Sequence, residues 1–217
     1  IIRLLVPCLL MVLAAVSGCS DPDRPTIAFH LALQRGDIDQ IERHIFWGAD
    51  INQAGPNGQT PLHVAADKGR PIITELLLKH GADMEGTDGD GNTPMHTAVM
   101  SGRTQVAELL IRQGARFEKD RLLMDSVRNN MTDRDVIRML LLKGADINHF
   151  STDGVTPLLE AIHQGNRVLV KLLITNGSDV NLASTTGQTP LQLAEQKQDS
   201  SIIRLLEING AIPTQRP

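Results

Sequence analysis

A glycine recurs along this 217-residue chain at a nearly fixed interval, and that interval constrains the fold more than any local pattern does. Gly48, Gly81, Gly114, Gly144, Gly177 and Gly210 are separated by 33, 33, 30, 33 and 33 residues. Five of them close an apolar stripe: Leu76-Leu77-Leu78, Leu109-Leu110-Ile111, Leu140-Leu141-Leu142, Leu172-Leu173-Ile174 and Leu205-Leu206. Ala follows at every one except Gly177, where Ser178 stands. A second marker keeps the same beat: Thr60-Pro61, Thr93-Pro94, Thr156-Pro157 and Thr189-Pro190, each with Gly two residues before the Thr. Thr before Pro caps a helix and presets its first φ. Gly after the stripe supplies the left-handed residue that ends one. A fixed period of this size marks a repeat architecture, in which one unit cannot bury its apolar face but stacked neighbours can. Hydrophobic residues make up 41% of the chain but aromatic ones only 2%, so the core has to come from Leu, Ile, Val, Ala and Met. Small aliphatic side chains suit thin helical layers.

The pattern Gly-x-Thr-Pro-[Leu/Met]-His-x-Ala, as in GQTPLHVA and GNTPMHTA, resembles the ankyrin repeat, and the period agrees. That resemblance implies an all-α solenoid of about six helix-turn-helix units joined by β-hairpin loops. The repeats fall at approximately 26–52, 57–85, 90–117, 118–148, 153–181 and 186–213, within a domain spanning 26–217. Two units depart from the pattern. The first has Ile27-Ala28-Phe29-His30 in place of Thr-Pro, as a terminal cap can. The fourth is three residues short and lacks the Gly-x-Thr-Pro segment. Its first helix is expected to include Leu122, Met124 and Val127. Its truncated hairpin should alter the curvature or divide the stack. Phe46 and Trp47, ahead of the first Gly-Ala, are expected to pack near the end of the stack.

The first 16 residues, IIRLLVPCLLMVLAAV, carry one charge and are otherwise almost entirely apolar. A membrane span needs about 20 such residues, and polar sequence follows at once, so residues 1–18 read as a secretory signal. Val16-Ser17-Gly18-Cys19 resembles the bacterial lipobox. The resemblance implies that Cys19 is lipidated and becomes the new N-terminus, since a thiolate is the nucleophile that accepts the lipid and several acyl chains anchor stably where one does not. Cys8 leaves with the signal, so the mature chain keeps no free thiol. Ser20 after the Cys favours the outer membrane facing the periplasm. Residues 19–25 read as the lipidated Cys and a short tether, which at about 3.3 Å per residue reaches ~20 Å.

The formal charge of −4 and the absence of a basic patch with interleaved aromatics exclude a nucleic-acid partner. His30, His63 and His96 share the 33-residue spacing. Repeats stacked about one helix diameter, ~10 Å, apart are too far for these rings to share one metal ion; in the ankyrin family this His holds the hairpin backbone. Asp88-Gly89-Asp90-Gly91-Asn92 opens like a calcium loop, but an EF-hand needs Gly at Thr93 and Glu at Val99. No nucleophile elbow and no phosphate-binding loop occur. The expectation is a non-enzyme without cofactor or small-molecule substrate, acting as a monomer.

What remains is recognition. In ankyrin proteins the partner lies on the concave face, built from hairpin tips and the exposed side of each first helix. Carried over, the matching positions are Asn57, Gln59, Asp67 and Lys68, then Asp90, Asn92, Met100 and Ser101. The fifth repeat supplies Asp153, Val155, His163 and Gln164, and the sixth Gln188, Gln196 and Lys197. Hot spots favour Trp, Tyr and Arg, and none stands there. The expected role is a membrane-anchored protein-interaction module of the bacterial envelope. The alternative is an immunity or inhibitor protein that occludes a toxin or periplasmic enzyme, and a structural spacer is the third reading.

Overall fold

The computed structural model describes residues 21–213. The signal, the lipobox and Cys19 therefore lie outside the described residues. Among the described residues twelve α-helices follow one another in six pairs: α1 (Phe29–Arg35) and α2 (Ile38–Phe46), α3 (Pro61–Asp67) and α4 (Pro71–Lys79), α5 (Pro94–Met100) and α6 (Thr104–Arg112), α7 (Lys119–Arg128) and α8 (Arg134–Leu142), α9 (Pro157–His163) and α10 (Arg167–Thr175), α11 (Pro190–Gln196) and α12 (Ser200–Ile208). The fold is all-α, and no strand forms among the described residues. The expected hairpins are present as tight turns alone.

Each helix starts and stops for a local reason. The hydroxyls of Thr93, Thr156 and Thr189 accept the backbone N–H of the third helical residue at 3.2–3.3 Å, satisfying a donor the helix cannot. At the far end Gly81 takes φ +88°. There its N–H donates to Leu78 O at 3.0 Å and that of Ala82 to Leu77 O at 3.0 Å, the paired bonds of a Schellman ending.

The core is aliphatic, as the composition requires. Its largest fully buried side chains are Leu, Ile and Met, among them Leu62, Leu77, Met95, Leu123, Ile137 and Leu158. The first helices form one row in which α1, α3, α5, α7, α9 and α11 each pack on the next. The second helices form another, with α4 on α6, α6 on α8 and α10 on α12.

The fourth repeat therefore does not divide the stack. Its first helix carries buried Leu122, Leu123, Met124 and Val127 and bridges α5 to α9. What the missing residues remove is the loop, because the chain passes from the Ala115 turn into α7 without forming a tip. On the second-helix side a cleft lined by Arg134, Arg138, Leu172 and Asn176 opens between α8 and α10.

Phe46 and Trp47 depart from expectation. They are 55% and 39% exposed. They lie where α2 ends, at the two positions that are exposed at the end of all six second helices, as are Lys79 and His80 or Leu142 and Lys143.

Candidate interaction surface

Four tips project from the stack, each a turn closed by the same pair of backbone bonds. In the second repeat Gly55 N donates to Gln59 O at 2.8 Å, and in the third Asp88 N donates to Asn92 O at 2.9 Å. Ser151 with Val155 and Ser184 with Gln188 repeat this at 2.9 Å each. The Asp88 carboxylate reinforces its turn by accepting from Asp90 N and Asn92 N at 3.0 and 2.8 Å. This is a turn motif built by a short acidic side chain, and it accounts for the calcium-like string of residues there.

Neighbouring tips are joined. Gly89 N donates to Asn57 O at 2.9 Å, and Thr185 N to Gly154 O at 2.9 Å. The approach is close enough that a Cβ on Gly58 would sit 2.5 Å from Gly89 N. Asn57 holds φ +63° at the apex, a conformation Asn tolerates better than most residues. Since repeat four has no tip, the row is interrupted between Asp90 and Asp153.

The histidines show what that gap changes. His63 is fully buried. Its Nδ1 accepts from Thr60 N at 3.2 Å, so its Nε2 carries the proton and donates to Asn92 O at 2.8 Å. The imidazole thus pins one repeat to the tip of the next. His96 has no such tip to reach, and its Nε2 lies 3.5 Å from Asp125 Oδ2 on α7, which Arg121 also approaches at 3.5 Å. Beside this pair a cavity of about 200 Å³ is lined by Asn92, His96, Arg116, Phe117, Glu118 and Leu122.

Several predicted contact residues turn out to hold repeats together. Asp67 accepts from the Ser101 hydroxyl at 2.8 Å, meets Lys68 Nζ at 3.0 Å and gives its backbone carbonyl to Arg103 Nε at 2.8 Å. Burial pushes the Asp67 carboxyl up, but the Lys68 and Ser101 bonds outweigh it and hold the group below the usual carboxylate range. Gln164 donates to Arg128 O at 3.1 Å and to Glu160 Oε1 at 3.0 Å. Gln188 and Gln196 pair with each other at 2.8 Å within repeat six. Asn92 and Gln59 lend backbone carbonyls to the turns. Met100 and Val155 are half-buried against the core. Lys68, Asp90, Asp153, His163 and Lys197 stand exposed, with Asp153 paired to Arg128 at 2.5 Å.

Other inter-repeat bonds carry a sequence signal of their own. Arg70 and Arg103 each follow a glycine at the 33-residue interval. Arg70 donates to Leu33 O and, at 2.9 Å, to Gln34 O, so both arginines bind the carbonyls that end the preceding first helix. On the opposite edge Asn52 donates to Gly81 O and accepts from Asp83 N at 3.1 and 2.8 Å. Asn181 does the same toward Gly210 and Ile212. Each follows an Asp-[Ile/Val] pair after a Gly-[Ala/Ser].

The comparisons agree with this geometry. Residues 29–121 and 123–216 each match the family described as ankyrin repeats (3 copies). Myotrophin of Xenopus tropicalis is 36% identical over 50 residues, 23% of this chain and 42% of its own length. The chain spans less than half the length of the curated relatives it matches. Among solved structures, the human ASB11 ankyrin repeat domain is 27% identical with a TM-score of 0.70, covering 88% of this chain and 86% of that one. A chain of the complex between the Bd0816 predatory endopeptidase of Bdellovibrio bacteriovorus and immunity protein Bd3460 is 28% identical with a TM-score of 0.65. There the coverage is 85% of this chain and 99% of the other.

Proposed function

The chain belongs to the ankyrin-repeat family, and from that premise we propose that it is a bacterial envelope lipoprotein whose repeat stack holds another protein. The stack is a protein-binding module. The observation that carries the reading is the locked surface formed by the tips and first helices. His63, Arg70, Asp67, Arg103 and Gln164 tie adjacent repeats across that side. A surface held in advance loses little conformational entropy when it binds, so modest polar contacts suffice for affinity. The exposed Lys68, Asp90 and His163 offer those contacts. Binding, not catalysis, is the role.

The anchor is a reading of the sequence: an apolar run followed by Val16-Ser17-Gly18-Cys19 supports acyl chains on Cys19, and Ser20 favours the outer membrane, facing the periplasm. One observation favours a second reading. The similarity to a chain of a peptidase–immunity complex, over nearly all of that chain's length, supports an inhibitor that occludes a peptidase.

The test is capture of partners from envelope extract by the tagged, detergent-solubilised lipoprotein, with identification by mass spectrometry. Met100→Arg and His163→Glu should each lose the partner that the parent chain retains, and retention by both would refute the placement. A captured peptidase that loses activity in the complex would select the inhibitor reading.

A further inference from the structure

Aromatic residues are scarce in this chain: four Phe, one Trp and no Tyr. Three of the five, Phe29, Phe46 and Trp47, lie in the first repeat. Phe46 and Trp47 are exposed and meet edge to face, with ring centroids 5.6 Å apart. A soluble surface gains nothing from two large rings in water, so the pair invites a cover.

The segment ahead of α1 shows where the pair sits. It does not extend away as a free tether. The indole N–H of Trp47 donates to Pro22 O at 3.2 Å, and the Arg24 guanidinium lies 5.0 Å from the Trp47 ring centroid. Thr26 N donates to Gln40 Oε1 at 2.8 Å, and His44 Nε2 contacts Ile27 O at 2.7 Å. The chain from Pro22 onward is thereby held against α2. Between the anchoring residue and the folded body the chain runs only from Cys19 to Pro22. Three peptide steps span at most about 10 Å.

That distance brings the membrane interface within reach. The polar interface on each side of a bilayer is roughly 5–8 Å deep. With Cys19 acylated at the surface, a span of about 10 Å leaves Trp47 near enough to enter that zone. An indole with an apolar body and a polar N–H is the side chain that prefers it. Arg24, stacked on the ring, can reach lipid phosphates while its stem stays on apolar surface.

We propose that Phe46, Trp47 and Arg24 form a bilayer-docking patch: the first repeat lies on the membrane interface, giving the stack a fixed orientation instead of a free swing about the lipid. The patch is a second membrane signal beside the acyl chains, and the proposal rests on the lipid-anchor reading given above.

Trp47 is the sole tryptophan, so its fluorescence reports the patch directly. The probe is the full lipoprotein, its acyl chains verified by intact mass, reconstituted in vesicles of phosphatidylethanolamine and phosphatidylglycerol. Emission should shift to shorter wavelength on reconstitution and lose intensity when the lipids carry brominated acyl chains, while aqueous acrylamide quenches less than in detergent. Phe46→Ser with Arg24→Glu, both at the surface, should reverse these changes without altering the thermal melt. Acylated protein whose Trp47 stays open to acrylamide and insensitive to brominated lipid overturns the docking patch alone. A blue shift already present without lipid, accompanied by dimers in sedimentation, assigns the patch to a second copy and also overturns it. A mature protein without acyl mass overturns the anchor, and the patch with it.

Discussion

Side chains that a sequence marks for recognition can be occupied by architecture. Asp67 is such a case, because its carboxylate is bound by Ser101 and Lys68 across and along the repeats. Its lowered pKa means that the folded state holds the ionised form more strongly than the unfolded state does. The resulting stabilisation is present above the unfolded value of about 3.9 and is lost as pH falls through the lower folded value. Asp67→Asn should therefore lower the urea midpoint at neutral pH, and the gap to the parent chain should close in acid. A gap independent of pH would mean that the carboxylate charge contributes nothing. The Asp67 position follows from the repeat pattern, but its engagement does not, since Ser101 lies a full repeat away. His63 was legible for the opposite reason. The resemblance to the ankyrin repeat implied a backbone role for the His at this period, and the imidazole spans Thr60 and the next tip. His96 kept the period but lost the tip it would bind, so its partner is Asp125.

At the scale of elements, the signals that start and stop helices were visible because they act within a few residues. Thr-Pro and Gly-Ala place the helix ends where the structure has them. The fourth repeat was harder to read. A missing Thr-Pro and three missing residues do not say whether a helix survives. The outcome depends on Leu122, Leu123 and Val127 finding α5 and α9, a long-range packing fact. Since α7 continues the first-helix row, Leu123→Ala should cost about 2–5 kcal/mol, the usual range for an emptied core site. The loss should spread beyond its own repeat. Hydrogen exchange should then show reduced protection in α5 and α9 together with α7, as nearest-neighbour coupling in a stack requires. Exposure confined to α7 and α8 would show that the stack is divided at the fourth repeat after all. Phe46 and Trp47 were misread at this level. Aromatic residues are usually core, but the end of every second helix faces water in this stack, and Phe46 and Trp47 stand at those positions.

For the whole molecule, the stack presents two unlike sides. One carries the tips and first helices, tied by inter-repeat bonds and bearing Lys68, Asp90 and His163. The other carries the outer rows of the second helices, where Ile72, Leu142 and Val168 are exposed singly. The fold and its period were legible in the sequence because every repeat restates them. The partner was not, because the exposed polar residues of the tip side, such as Lys68, Asp90 and His163, vary from unit to unit and name none. The central claim is that the tip and first-helix side holds a protein, and site-specific photo-cross-linking in intact cells tests it most directly. A benzophenone side chain at Lys68 or His163 should trap one partner of defined mass, and the same group at Val168 should trap none. A partner trapped from Val168 and from neither of the other positions would contradict the account.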